Sequence, residues 1–443
     1  AQDVIFFLRG GSRLGPLCLL MRSLGGPWPF VLASLPWTTA APAAAAVSPL
    51  GDAAAKELWA SAARLKQTAD SAMAHGNVSQ AAETYFERCR LLRKFEPASD
   101  TPGDHPLNNK RDEGFFRAGR AKLRHDAEQL EYLMASGALP ERPFGQLAKV
   151  YRHMIPSLPT HLHAVDLQPF NKLFDRAHNR ALHLTHPARL PGRALGVGMT
   201  GSGAKDFERR FRASELPPEN DGCAAQNGVA FSDNFLSKAA LQALYRWCLE
   251  STMWYGTRAG YLAAFFQEAF NSPLILQVAE ELRARLPGIL GQHQLMNMWG
   301  FKYAHNETDW PLNGTEVHAD IAAVNVNFWL APDDANTEAE GGGLIVYTKQ
   351  APKDWAFADY NGLDAVPKVR RFLRDSGRIV VPHRRNRVVV FNSNLFHETQ
   401  VPRFKPGYKN RRINLTLLFG RRCGGGANEA AGSSLRPDVG AEL

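Results

Sequence analysis

The chain has 443 residues, 44% hydrophobic and 21% charged, long enough to bury a large core and longer than one typical domain. Its formal charge of +9 is uneven: between residues 368 and 422 fifteen Lys and Arg face only Asp375 and Glu398, and they are not interleaved with a stacking aromatic platform, so nucleic acid is not an expected partner. Five scattered cysteines without CxxC spacing argue against a disulfide framework or a cysteine zinc site, and no apolar run is long enough to span a bilayer without interruption.

Residues 1–51 carry Arg9, Arg13 and Arg22 against one acid, Asp3, and end in an Ala-rich tract. This composition reads as a plastid or mitochondrial transit peptide or a disordered terminus; without a targeting role for it, the chain is expected in the cytoplasm. A helical region is expected over 52–186. Ala55, Leu58, Ala62, Leu65 and Ala69 recur at helical spacing, Gly76 and Asn77 interrupt it, and Ala81, Ala82, Tyr85, Cys89 and Leu92 resume it. The resulting helical hairpin resembles a single tetratricopeptide repeat; with no second clear copy it reads as a degenerate repeat or a plain hairpin. A Pro/Asp/Asn-rich linker covers 98–109, and helical spacing returns over 115–134 and 144–154. Gly and Pro crowd 187–205, which reads as an extended crossing segment within a linker spanning 187–224.

A second domain is expected over 225–422. Ser237 is a candidate N-cap for a helix containing Leu241, Leu244, Tyr245 and Cys248, and another helix covers 273–286. Strand-like runs follow at 295–304, 321–330, 343–348, 387–392 and 412–419, with the glycines 341–343 turning the chain before the third. Many strands and few internal helices point to a small barrel or sandwich. Residues 423–443 read as a disordered tail.

Within those strands lies one chemical constellation. His318 and Asp320, two residues apart on an extended chain, project to one face. His397, preceded by the apolar run 388–391, can arrive from another strand. Two histidines and one carboxylate suit one face of a non-haem Fe(II) and leave the remaining positions open. On 412–419, Arg412, Asn414 and Thr416 share a face opposite Ile413, Leu415 and Leu417. On 324–329, Asn325, Asn327 and Trp329 oppose Val324, Val326 and Phe328. Two such strands suit a barrel with a polar lumen, in which Asn414 and Trp329 are candidate substrate contacts, and buried amides and a buried Arg need partners there. The pairs His161/His163 and His183/His186 have metal-like spacing but no evident third ligand.

Residues 225–422 resemble the Fe(II)- and 2-oxoglutarate-dependent dioxygenases, in the branch that includes prolyl hydroxylases. The resemblance rests on Trp299-Gly-Phe-Lys-Tyr303, His318-Ala-Asp320, Gly-Gly-Leu at 342–344, Phe391-Asn392, His397-Glu-Thr and Arg411-Arg-Ile-Asn-Leu-Thr416. It implies an α+β fold: a C-terminal double-stranded β-helix (a jelly-roll or cupin-like barrel) with flanking helices, preceded by an all-α region. It implies His318, Asp320 and His397 as iron ligands and Arg412 as the partner of the distal carboxylate of 2-oxoglutarate. Tyr303, Asn325, Asn327 and Thr416 are the further candidate co-substrate contacts. Arg412 lies farther beyond His397 than the family usually places its basic residue, so Arg403 and Arg411 are rivals; Arg412 alone shares a face with Asn414 and Thr416. The implied cofactors are Fe(II), with 2-oxoglutarate and O2 as co-substrates, and ascorbate as an accessory. The implied reaction oxidises a C–H bond with release of succinate and CO2, and Asp320 stands where halogenating relatives carry a small residue. The substrate is expected to be a peptide or protein, or an anionic small metabolite. A reading of another class is a non-catalytic helical adaptor that binds a protein partner.

Overall fold

Gly76 turns the chain at φ +76°, and Asn77 starts the next helix by accepting the Gln80 backbone N–H at 3.2 Å. The outcome, in a computed structural model that describes residues 49–95, 115–168, 170–214, 228–304 and 314–422, is the hairpin of α1 (Pro49–Ala74) and α2 (Val78–Leu92). The expected break between two helices is where the sequence puts it. Residues 1–48 of the segment read as a targeting peptide, the 98–109 linker, the end of the 187–224 linker and the tail past 422 lie outside the described residues.

A two-stranded ribbon of β1 (Arg117–Ala118) and β2 (Val165–Asp166) accompanies α3 (Arg120–Ala135), α4 (Glu141–Met154) and α5 (Lys172–Ala177). Leu123, Leu130, Leu147, Tyr151 and Phe174 meet there in a separate apolar cluster. The crossing segment 187–205 is less extended than its glycines imply. After Gly196 it tightens into a 3-10 turn, and α6 (Ser202–Ala213) begins, because Ala204, Phe207 and Phe211 form a buried stripe at helical spacing.

The remainder comprises β3 (Val229–Ser232), α7 (Lys238–Glu250), β4 (Gly256–Arg258), β5 (Tyr261–Phe265), α8 (Pro273–Arg285), α9 (Pro287–Leu290), β6 (Leu295–Tyr303), β7 (Val324–Trp329), β8 (Leu344–Gln350), α10 (Phe357–Tyr360), α11 (Val366–Phe372), β9 (Arg378–Val381), β10 (Val388–Asn392), β11 (Leu395–Thr399) and β12 (Ile413–Phe419). Ser237 caps α7 as expected, accepting the Ala240 N–H at 3.2 Å. Seven strands form an antiparallel sheet in the order β3-β10-β7-β12-β6-β5-β4, and β11-β8-β9 form a smaller one. The five expected strands are all present. Strands β3, β4, β5, β9 and β11 are additional; they are short, and β5 and β11 are too thoroughly buried to alternate.

The alternation on β7 and β12 decides how the layers stack. Ile413, Leu415, Leu417 and Phe419 join Val324, Val326 and Phe328 in the main core, against Leu244 and Trp247 of α7 and Ile275 and Leu282 of α8. Each such side chain contributes roughly 1.5–3 kcal/mol on burial. The same core takes in Ala81 and Tyr85 of α2. On the opposite face Trp329, Val389 and Phe391 pack against Leu344, Val346 and Leu395 of the smaller sheet. Polar residues of the large sheet thus face a second sheet rather than water. No helix among the described residues is long and apolar enough to cross a membrane.

Candidate metal centre and anion pocket

A single antiparallel bridge between the strands assembles the first part of the site. The His318 N–H donates to the His397 carbonyl at 3.0 Å and the His397 N–H to the His318 carbonyl at 2.8 Å, which leaves the two rings 4.4 Å apart. Each Nδ1 meets a backbone carbonyl two residues earlier, Glu316 O at 2.7 Å and Leu395 O at 3.0 Å. With Nδ1–H donating there, both Nε2 lone pairs are free to bind a metal. They converge on Asp320: His318 Nε2 lies 3.8 Å from Oδ1 and His397 Nε2 3.4 Å from Oδ2. All three residues are buried, and their ligand atoms lie within 4.8 Å of one another. Asp320 is itself held. Its Oδ2 accepts the Asn325 amide at 2.6 Å, and Asn325 Oδ1 accepts the Ser393 hydroxyl at 2.6 Å. Asn325, expected as a co-substrate contact, therefore uses both ends of its amide behind the carboxylate.

The charges match the donor set. Burial and the neighbouring His397 push His318 down from 6.5 to about 4, so its ring is neutral near pH 7. Burial opposes ionisation of Asp320, but the adjoining His397 and His318 and the Asn325 amide outweigh it and bring the carboxyl to about 2. One anion and a neutral imidazole are the protonation states a metal needs. The same shift makes stability depend on pH. Between pH 4 and 6.5 the unfolded chain holds a proton on His318 that the folded chain lacks. Stability is thus full above about 6.5 and is lost as pH falls towards 4. His178 and His383, lowered by burial, act with the same sign. Thermal melts of the metal-free protein at about pH 7.5 and about pH 5 are expected to show the lower midpoint in acid; an unchanged or higher midpoint contradicts these shifts.

The second part of the site lies at the other end of the same sheet face. Arg412 is 1% exposed. Its Nε donates to Gly342 O at 2.6 Å and its Nη2 to Gly343 O at 3.3 Å, and Nη1 has no hydrogen-bond partner among the described residues. The guanidinium lies over the Tyr303 ring at 4.5 Å and the Trp329 ring at 5.8 Å. The rivals are otherwise engaged. Arg411 is buried and pairs with Glu128 at 2.9 Å, and Arg403 pairs with Glu338 at 2.9 Å on the surface. Other members of the basic run are neutralised by distant acids, Arg387 by Asp233 and Arg370 by Glu398 and Glu316. The uneven charge of residues 368–422 is partly balanced in this way, while Arg412 is a buried cation with no salt-bridge partner among the described residues.

Tyr303 joins the two parts. Its hydroxyl hydrogen-bonds Thr399 Oγ1 at 3.1 Å, and Thr399 shares a face of β11 with His397. Across β12, Asn414 pairs with Trp329 and Thr416 with Asn327, so these four expected contacts line the same face between the candidate metal ligands and Arg412. Asn414 Nδ2 donates to Thr416 Oγ1 at 3.1 Å, whereas Asn327 Oδ1 and Trp329 Nε1 have no partner among the described residues. Each such buried orphan costs roughly 1–3 kcal/mol unless a ligand or water satisfies it. His383 is the residue the sequence reading missed: it is 5% exposed, neither ring nitrogen has a described partner, and its ring lies 5.8 Å from Trp329. Within Val381-Pro-His383-Arg-Arg385 it carries no pattern of its own. The other histidine pairs gather no third ligand among the described residues, and His186 stacks on Phe86 at 4.2 Å.

No family model matches the chain, and no curated protein matches it. Among solved structures it is similar to a non-haem alpha ketoglutarate dependent carbocyclase from nogalamycin biosynthesis, at 14% identity over 57% of this chain and 96% of that one, with a TM-score of 0.34. It is similar to a Pseudomonas putida prolyl-4-hydroxylase at 16% identity over 44% and 94%, with a TM-score of 0.27. A Trichoplax adhaerens prolyl hydroxylase in complex with a hypoxia inducible factor peptide fragment matches at 16% identity over 53% and 95%, with a TM-score of 0.30. Likenesses this distant leave the functional reading to the side chains.

Proposed function

We propose that this protein is an Fe(II)- and 2-oxoglutarate-dependent oxygenase that oxidises a C–H bond of a peptide or an anionic metabolite. The observation that carries this reading is the pairing, on one buried face, of a two-histidine, one-carboxylate set with a buried arginine that has no acidic partner among the described residues. When bound, Fe(II) and 2-oxoglutarate supply O2 activation coupled to decarboxylation of the co-substrate to succinate and CO2. The donor set fits that metal: imidazole and carboxylate are its usual ligands, and a facial trio leaves positions open.

The chain's own residues do the rest. Glu316 O and Leu395 O hold the two imidazoles in the tautomer that presents Nε2. Asn325 and Ser393 hold the carboxylate of Asp320. Arg412 offers a fixed cation to the distal carboxylate, with its plane set by the Tyr303 ring and the Gly342 and Gly343 carbonyls. From His397 to Gln400, which donates to Gly343 O, is three residues of extended chain, on the order of 10 Å, a gap that a five-carbon diacid can bridge. Trp329, Val389 and Phe391 keep this space dry, which strengthens each charge interaction. Two facing antiparallel sheets with their ligands between them fit a double-stranded β-helix.

Mass action tests the reading. Fe(II), or Mn(II) in its place, and then 2-oxoglutarate are each expected to raise the melting temperature, with a gain of about 2.7 kcal/mol at a hundredfold excess over Kd. An adaptor that has lost its chemistry would gain nothing from either. Incubation of the loaded protein with a native extract, followed by a search for products that gain one oxygen atom, separates a peptide substrate from a small metabolite.

A further inference from the structure

We infer that His383, together with the Trp329 indole, completes the pocket for the distal carboxylate beside Arg412, and that His383 sets the preference for a diacid over a 2-oxo acid with an uncharged end. This rests on the reading of Arg412 given above and adds to it a residue that neither the motif nor the strand pattern marks.

Three side chains, each more than nine-tenths buried, carry the inference: His383 at 5% exposure, Trp329 at 0% and Arg412 at 1%. Each holds at least one nitrogen with no hydrogen-bond partner among the described residues: both ring nitrogens of His383, Nε1 of Trp329 and Nη1 of Arg412. The three groups are neighbours, with Arg412 and His383 each 5.8 Å from the Trp329 ring. Buried donors without partners are rare singly, and three together mark the place of an absent acceptor. A carboxylate is the acceptor that suits them, because it takes several N–H bonds at once and neutralises the guanidinium.

The fold brings His383 here through the turn that holds Arg412. Gly343 lies so close to the strand leading into His383 that an added Cβ would sit 1.9 Å from Val381 O and 2.7 Å from the His383 backbone N. The carbonyls of Gly342 and Gly343 accept from Arg412. His383 is thereby pressed against the arginine's own anchor, with Phe404 edge-on at 5.0 Å and no hydrogen-bond partner for its ring among the described residues. Burial and the charge of Arg412 keep that ring neutral, so it offers one N–H donor and adds no second cation.

The test is calorimetric titration of the full chain, loaded with Mn(II), with 2-oxoglutarate and with 2-oxobutyrate, which lacks the distal carboxylate. His383→Phe is expected to weaken 2-oxoglutarate binding about tenfold or more and to leave 2-oxobutyrate within about twofold, the size of one hydrogen bond to a charged group. His383→Asn, which restores an N–H donor, is expected to recover part of the loss. The melting temperature of metal-free His383→Phe should not fall, since the change removes two unsatisfied nitrogens. Wild-type affinity for 2-oxoglutarate in His383→Phe overturns the inference, and so does equal weakening of both ligands. If the wild-type protein binds 2-oxobutyrate but not 2-oxoglutarate, or neither, the reading of Arg412 fails first and this inference falls with it.

Discussion

Replacing His318 or Asp320 with Ala is expected to reduce the substrate-independent conversion of 2-oxoglutarate to succinate to background. The physical reason is that only three side chains converge on the metal position, with ligand atoms within 4.8 Å, and no other His, Cys, Asp or Glu among the described residues joins that cluster. Removing Asp320 also takes away the carboxylate that would favour a dication there, and strands the Asn325 amide that donates to it. A graded series follows. Asn325→Ala leaves all three ligands in place and frees Asp320 to rotate, so a loss of about 10- to 100-fold in metal affinity or activity is expected. The ligand variants should lose more than about 100-fold. Succinate release that survives undiminished in His318→Ala or Asp320→Ala sinks the metal assignment.

How much of this was legible in the sequence follows from what each residue's signal depends on. The helical hairpin at Gly76 and Asn77, the Ser237 cap and the two faces of β12 depend on local spacing, and the structure has them as the spacing indicates. His318 and Asp320 share a local motif, and His397 is visible because an apolar run leads into it. Alternation alone separates Arg412, which shares the polar face with Asn414 and Thr416, from Arg411, which the structure pairs with Glu128. What could not be read is pairing across long separations. Glu128, which occupies Arg411, lies on α3 far back in the chain, and Ser393, whose hydroxyl donates to Asn325, comes from the turn between β10 and β11. His383 sits outside any strand and becomes conspicuous only once both its ring nitrogens are seen to be buried without partners. α6 was hidden because Gly201 and Gly203 outweighed the Ala204, Phe207 and Phe211 stripe.

Arg412→Leu should raise the Kd and KM for 2-oxoglutarate by roughly 100-fold or more, the loss of two charge-assisted hydrogen bonds to one carboxylate. Its effect on the stability of the ligand-free protein should be small, because two consequences oppose each other. Removing a buried cation with no counter-ion among the described residues is favourable, and leaving the Gly342 and Gly343 carbonyls without their donor is not. Arg411→Leu should behave in the opposite way. It breaks a buried pair with Glu128, whose side chains are 2% and 15% exposed, so a destabilisation of about 3–5 kcal/mol is expected with little change in co-substrate affinity. Arg403→Leu removes a surface pair, about half exposed on both sides, and should change neither quantity by more than about 1 kcal/mol. Denaturant melts and calorimetric titrations on the three variants separate the roles. A large affinity loss in Arg411→Leu together with wild-type affinity in Arg412→Leu would place the carboxylate on Arg411 and contradict the assignment to Arg412.

On the proposed function one buried face would hold metal and co-substrate together, with His318, Asp320 and His397 on the metal and Arg412 on the distal carboxylate. Anaerobic titration of the Fe(II)-loaded protein with 2-oxoglutarate, followed by visible absorbance, measures this directly. The expected result is a charge-transfer band from chelation of the 2-oxo acid that saturates at one equivalent, vanishes in His318→Ala, and needs far more 2-oxoglutarate in Arg412→Leu. Full metal occupancy with no band, or the same band at the same concentration in His318→Ala, would contradict it.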